Sequence, residues 1–133
     1  MVFNLFRKKN KIPSSNNNLP DYLEDYNKAI RDIQNSKYCN ISSDEEEFIY
    51  CLIKSLKSKG NNKTLNLRRM SNMAIDVTYD IYPIGKVKLQ GSNTWMQIFL
   101  DLYDVKVLEN CVLEEYLENI ELWIQYIQEE LSE

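Results

Sequence analysis

The chain has 133 residues and a net charge of −4, and 44% of its residues are apolar while 27% are charged. This length and composition are typical of one globular domain with its own hydrophobic core. The sequence contains no histidine, which excludes Ser-His-Asp and Cys-His nucleophile systems, HExxH zinc sites and imidazole acid–base catalysis. Any catalysis would therefore depend on carboxylates, lysine, tyrosine or a metal held by carboxylates.

Charge is divided unevenly along the chain. Residues 1–71 contain 13 Lys/Arg and 8 Asp/Glu, whereas residues 72–133 contain 3 and 12. The first half therefore has a net charge of +5 and the second half one of −9. Such an asymmetry carries more information about binding partners than the total charge does.

The first 18 residues have the composition of a tail. A basic run from Arg7 to Lys11 precedes a Ser/Asn-rich stretch with little apolar surface to bury. We predict a disordered basic and polar tail over residues 1–18 and a single domain over residues 19–133. No segment approaches the roughly 20 apolar residues that span a bilayer, and the few charges of the tail give only marginal membrane affinity, so no stable membrane association is expected.

Three cysteines, Cys39, Cys51 and Cys111, are widely separated in the sequence. They form neither a CxxC pair nor the spacing of a metal finger. Reduced thiols in a cytoplasmic protein are the simplest interpretation.

Two helices are predicted in the first half. The first begins near Asp21 and repeats apolar residues at steps of three and four as far as Ile33. The second opens with Ser43 and Glu46 at the spacing of a capping box and ends at Gly60. Its acidic first turn complements the helix dipole, so this run of carboxylates indicates no metal site.

Between residues 64 and 90, apolar residues recur at every second position and no longer at the three- and four-residue steps of a helix. Alternating runs cover residues 64–70, 73–80 and 84–90, and a run that is apolar on both faces covers residues 94–103. Breaks of hairpin length separate these runs. Residues 104–109 either extend the fourth run past a bend or form another strand. Parallel pairing would require long crossovers, so the pattern predicts an antiparallel meander of about four strands.

A long amphipathic helix follows Asn110, which can cap it. Its predicted apolar stripe consists of Leu113, Tyr116, Leu117, Ile120, Trp123, Ile124, Ile127 and Leu131. The order of elements predicts an α+β domain with two N-terminal helices, a central antiparallel meander and a long C-terminal helix packed on the sheet.

The second and third predicted strands carry opposite charges. Antiparallel pairing would place on one face Asp76, Thr78, Asp80, Lys86, Lys88 and Gln90. We favour a solvent-facing charge ladder that keeps the sheet soluble. The alternative is a binding site in which the lysines hold an anion and Trp95 offers a stacking surface.

The sequence shows no catalytic, cofactor-binding or metal-binding motif. A metal-dependent nuclease would need an acid on the third strand, where Lys86 and Lys88 stand instead. Single glycines at positions 85 and 91 build no phosphate-binding loop.

The polar face of the last helix carries glutamates without any basic residue. Because Glu114, Glu115, Glu118 and Glu121 can complement a basic surface, we predict a small acidic, non-enzymatic protein-binding module that recognises a basic protein partner. Inhibitors, antitoxins, immunity proteins and adaptors are its functional analogues.

A nucleic-acid-binding protein is the alternative. It would use Arg68, Lys86, Lys88 and Trp95 on the sheet, with Arg69 beside them, to track phosphates and stack a base. An enzyme based on carboxylates comes third, since no motif supports it.

Overall fold

The computed structural model describes residues 20–131, so the predicted tail over residues 1–18 lies outside the described residues. The fold is α+β, as predicted, with a five-stranded antiparallel sheet. Its helices are α1 (Pro20–Gln34), α2 (Ser43–Ser58), α3 (Leu113–Glu118) and α4 (Ile120–Tyr126), and a π-helical turn covers Ile127–Leu131. Its strands are β1 (Leu65–Arg69), β2 (Ile75–Tyr79), β3 (Tyr82–Lys88), β4 (Trp95–Phe99) and β5 (Val105–Glu109).

The capping box of α2 is one residue earlier than predicted. Ser42, not Ser43, is the N-cap, and its hydroxyl oxygen accepts a hydrogen bond from the Glu45 backbone N–H at 3.1 Å. The Glu45 carboxylate in turn accepts one from the Ser42 backbone N–H at 3.0 Å. The sequence SSDEEE offers the capping spacing twice, and the burial of Glu45 among tertiary partners decides between the two frames.

The strands follow one another across the sheet in chain order, and every neighbouring pair is antiparallel. The prediction of about four strands is one short. Residues 105–109 form a separate strand because the chain reverses after β4, where the Leu100 backbone N–H donates to the Asp104 carbonyl at 2.8 Å.

The helices cover one face of the sheet. Helix α1 packs against β1 and α2, while α4 packs against α2, β3 and β4. The apolar strand residues buried in the core are Leu65, Leu67, Ile75, Val77, Tyr79, Ile84, Val87, Met96 and Ile98. The C-terminal helix packs on the sheet as predicted, and its residues Tyr116, Ile120, Trp123, Ile124 and Ile127 are all buried.

Trp123 packs between the C-terminal helix and the sheet, at the point where β3 and β4 separate. These strands pair only at Val87–Met96 and Lys88–Trp95. Beyond that point the Trp123 indole N–H donates to the Gln97 backbone carbonyl at 2.8 Å. The indole ring lies on Gly85, where a Cβ atom would come within 2.6 Å of it. The absence of a side chain at this position is therefore a packing requirement.

Replacing Gly85 with alanine should destabilise the fold more than the same change at Gly60. Both residues have positive φ angles, +155° and +80°, but a Cβ on Gly60 would meet no atom within 4 Å. Gly60→Ala should cost about 1–2 kcal/mol of backbone strain. Gly85→Ala should cost about 1–3 kcal/mol more, because the indole must move. Urea unfolding measures both changes in unfolding free energy. Equal changes would contradict the packing requirement at Gly85.

Candidate interaction surfaces

The predicted nucleic-acid residues do come together on the face of the sheet that the helices leave uncovered. Arg68 is opposite Asp76, which is opposite Lys86 in the next strand. Lys88 is opposite Trp95 in the same face. All four predicted residues are exposed or half-buried, so this face is accessible to a ligand.

Several charges on this face already have internal partners. The Arg68 guanidinium forms an ion pair with Asp76 at 3.0 Å. Lys88 Nζ donates to the backbone carbonyls of Gln90 and Asn93, at 2.8 and 3.0 Å, and so closes the turn between β3 and β4. These contacts reduce the positive potential that phosphate recognition would use.

Two residues assigned to this face by the sequence lie elsewhere. Gln90 follows the end of β3 and turns toward the helix layer, where its amide donates to Glu45 at 2.8 Å. Asp80 occupies the turn after β2 with a φ of +60°. Side chains alternate between the two faces of a sheet only as far as the last paired residue of a strand. Gln90 and Asp80 lie beyond that residue, so neither is on the predicted face.

Arg69 lies on the opposite side of β1 from Arg68 and is buried with Glu45. Two guanidinium nitrogens of Arg69 contact the two carboxylate oxygens of Glu45 at 2.6 and 2.9 Å, and both side chains are fully buried. The same guanidinium donates to the carbonyls of Tyr38, Asn40 and Met73. Every arm of the cation is therefore satisfied, and the prediction that Arg69 tracks phosphate is wrong.

The Glu45 carboxylate is held ionised by its surroundings. Burial by itself would raise its pKa, but hydrogen bonds from Arg69, Gln90 and the Ser42 backbone N–H outweigh burial and lower the pKa. A carboxylate of this kind, fully engaged by donors and closed to solvent, serves as a structural anchor. The sequence offered only a charged helix start as a signal for it.

The acidic residues of the C-terminal helix are accessible, with one exception. Glu115, Glu118 and Glu121 are exposed, whereas Glu114 is half-buried. The helix is interrupted at Asn119, whose backbone N–H bonds to the carbonyls of Glu115 and Tyr116 before α4 begins. None of the ion pairs found within residues 20–131 involves these four glutamates.

The two edges of the sheet differ, because side chains of α1 cover the β1 edge whereas the β5 edge is open within residues 20–131. The sequence did not predict this difference. At the β1 edge, Asp32 accepts a hydrogen bond from the Leu67 backbone N–H at 3.0 Å, and Lys28 Nζ donates to the Leu65 carbonyl at 3.0 Å. Helix α1 thus blocks this edge with side chains. At the β5 edge no hydrogen bond formed within the described residues reaches the backbone of Val105 or Val107.

The described residues contain no group of three or more Cys, Asp or Glu side chains placed to hold a metal ion. Within the same range, no helix has the length and apolarity needed to cross a bilayer. A cleft of about 450 Å³ lies between the β4–β5 turn and the end of the C-terminal helix, lined in part by Tyr82, Phe99 and Tyr126.

The sequence matches no protein-family model and no curated protein, and no solved structure matches the fold. Function must therefore be argued from these surfaces alone.

Loss of the buried arginine should be far more damaging than loss of its exposed neighbour. Arg69→Ala leaves the Glu45 carboxylate buried without its cation, which should cost about 3–5 kcal/mol of unfolding free energy. Arg68→Ala removes a pair whose arginine side chain is 70% exposed and should cost about 0–1 kcal/mol. Urea denaturation of the two variants gives both numbers. Similar losses would show that the buried pair is not an anchor.

Proposed function

We propose that this chain is a cytoplasmic, non-enzymatic protein-binding module that recognises a basic surface on another protein. The observation that carries the proposal is the exposed acidic surface formed by Glu115, Glu118 and Glu121, which no described cation neutralises. Glu114 belongs to its half-buried border.

Charge placement supports this function over a simple role in solubility. Exposed helices usually mix both signs, since like charges spaced four residues apart repel one another by a few tenths of a kcal/mol. From Leu113 to Leu131 the chain has no lysine or arginine to relieve this repulsion. A basic partner would relieve it on binding, and would be steered to this surface during encounter.

The underlying scaffold also suits recognition by a rigid surface. Tyr116 and Ile120 alternate with the acidic positions and are buried at 1% exposure each. They fix the helix on the core, so the carboxylates are displayed with little freedom of the backbone. Presenting charges in a fixed arrangement lowers the entropy lost on association.

Reversing the acidic surface should abolish partner capture without unfolding the protein. The triple variant Glu115→Lys, Glu118→Lys, Glu121→Lys is compared with Glu24→Lys, Asp80→Lys, Glu129→Lys, which changes net charge equally at exposed sites outside this surface and away from β5. Tagged proteins are incubated with extract of the native cell, and captured proteins are quantified by mass spectrometry at two salt concentrations. The expected result is loss of a salt-sensitive basic partner with the first variant only.

Equal capture by the two triple variants would contradict the acidic surface as the contact. Circular dichroism and urea unfolding of each variant establish that the fold is retained, because all six positions are exposed.

Nucleic-acid binding through the uncovered sheet face is the second candidate. It is favoured by the shared face of Lys86, Lys88 and Trp95, and weakened by the ion pair of Arg68 with Asp76. Binding would require the positive potential of these basic residues to exceed, at this face, the negative potential of the acidic chain.

A labelled single-stranded oligonucleotide tests this candidate by fluorescence anisotropy. If the face binds phosphate, Lys86→Ala should weaken affinity and reduce the slope of log K against log salt by about 0.7, the value expected for one lost contact to a single strand. Trp95→Ala should weaken affinity without changing that slope, because it removes stacking alone. No binding at low salt would eliminate this candidate.

A further inference from the structure

The free edge of β5 carries an unusual concentration of exposed apolar side chains. Val105 and Val107 are 49% and 48% exposed on the strand itself. The flanking residues Leu102, Tyr103 and Val112 are 58%, 95% and 66% exposed. Edge strands are normally protected by charge, proline, bulges or a covering element, and β5 has only two charged residues, Lys106 and Glu109, and no proline.

The hydrogen-bond register defines which backbone groups face outward. Asn110 N–H donates to the Thr94 carbonyl and Leu100 N–H to the Asp104 carbonyl, each at 2.8 Å. Since bonded and non-bonded positions alternate in an antiparallel pair, the even-numbered residues of β5 face β4. The N–H and C=O groups of Val105, Val107 and Glu109 are therefore directed away from the sheet.

We propose that β5 pairs antiparallel with β5 of a second copy of this chain, with Val107 on the two-fold axis. A two-fold axis perpendicular to the sheet keeps each face on the same side, so facing residues must both be odd-numbered or both even-numbered. Only the outward-directed, odd-numbered residues can form the bonds between copies. Val107 then faces Val107, and Val105 faces Glu109, so the two five-stranded sheets join into one continuous ten-stranded sheet.

Side-chain chemistry selects this register from the neighbouring ones. A shift of one residue pair in one direction would place Lys106 opposite Lys106, which is destabilising for like charges directly facing each other. A shift in the other direction would centre the contact on Leu108 and place Val105 opposite residue 111, beyond the end of β5. In the proposed register Lys106 faces Leu108, and no like charges are directly opposed within β5.

The same register also accounts for the flanking apolar residues. It places the turn that carries Leu102 and Tyr103 beside the partner copy's Val112, on both sides of the axis. Five of the exposed large apolar residues described in this structure would thus be covered by one symmetric contact. A self-complementary patch of this kind is what an isologous dimer requires.

The blocked β1 edge makes the assembly closed. Lys28 and Asp32 already engage the outward Leu65 carbonyl and the outward Leu67 N–H, and α1 packs against β1, so a dimer joined at β5 has no second open edge for further strands. The prediction is a dimer and not a fibre, and it does not depend on the acidic surface of the C-terminal helix.

Sedimentation velocity of the full chain over a range of concentrations tests the dimer. The wild-type protein should sediment as a dimer at high concentration, and Val107→Lys should raise the dimer dissociation constant at least about tenfold because two lysines would meet on the axis. Ile81→Lys is the matched control, since Ile81 is 74% exposed in the β2–β3 turn. A monomer at all concentrations, or equal effects of the two variants, would overturn the proposal.

Disulfide cross-linking tests the register independently of stability. In a background with Cys39→Ser and Cys111→Ser, Val107→Cys should cross-link with its copy on exposure to oxidised glutathione, because facing bonded residues lie about 5.5 Å apart at Cα, within disulfide range. Cys51 can remain, since burial raises its pKa to about 11 and keeps the thiol protonated.

Lys106→Cys is the control for register. Two copies of residue 106 would be offset by two positions along the strands, about 8 Å apart at Cα, which is too far for a disulfide. Cross-linking of the Val107→Cys protein alone supports the register. Equal cross-linking of both proteins, or of neither, would overturn it.

Discussion

The buried ion pair between Arg69 and Glu45 is the constraint on which the arrangement of this domain depends. It joins the start of α2 to the end of β1, and the remaining arms of the guanidinium hold the carbonyls of Tyr38, Asn40 and Met73. A buried pair repays its desolvation only when every donor and acceptor is satisfied, and here that condition fixes three separate segments around one cation. The pair thereby fixes the start of α2 at the β1 side of the sheet, and the strand order leaves β5 at the opposite edge.

Apolar periodicity was sufficient to predict the α+β class, the antiparallel order and the C-terminal helix, because those features depend on local spacing. Capping-box spacing placed the α2 cap at Ser43, because the choice between two equivalent capping frames depends on Arg69, which is 24 residues away from Glu45. Periodicity also left open whether residues 104–109 extend β4 or form a separate strand. Alternation predicts which face of the sheet a side chain is on, and it does not predict what covers that face. The contact of Trp123 with Gly85 depends on a separation of 38 residues along the chain, beyond any local pattern.

The ion pairs of the fold draw their cations from the basic half of the sequence. In the described part of the chain, the cations of the ion pairs are Lys28, Lys57, Arg68 and Arg69, all from the basic half. These cations are engaged by neighbouring carboxylates and tie α1, α2, β1 and β2 together. The carboxylates of the C-terminal helix receive none of these four cations, so this helix presents negative charge on the exterior of the domain.

The two proposed surfaces use different physical interactions and lie on different elements. Pairing at β5 would bury apolar side chains and unpaired backbone groups, both of which depend weakly on salt, whereas an acidic helix attracts a basic partner through forces that salt screens over about 8–10 Å. A dimer joined at β5 would carry two acidic surfaces related by the two-fold axis. A basic partner with two suitably spaced sites would then bind the second surface at a high effective concentration. Disrupting β5 would therefore weaken capture of such a partner even though every glutamate remained in place.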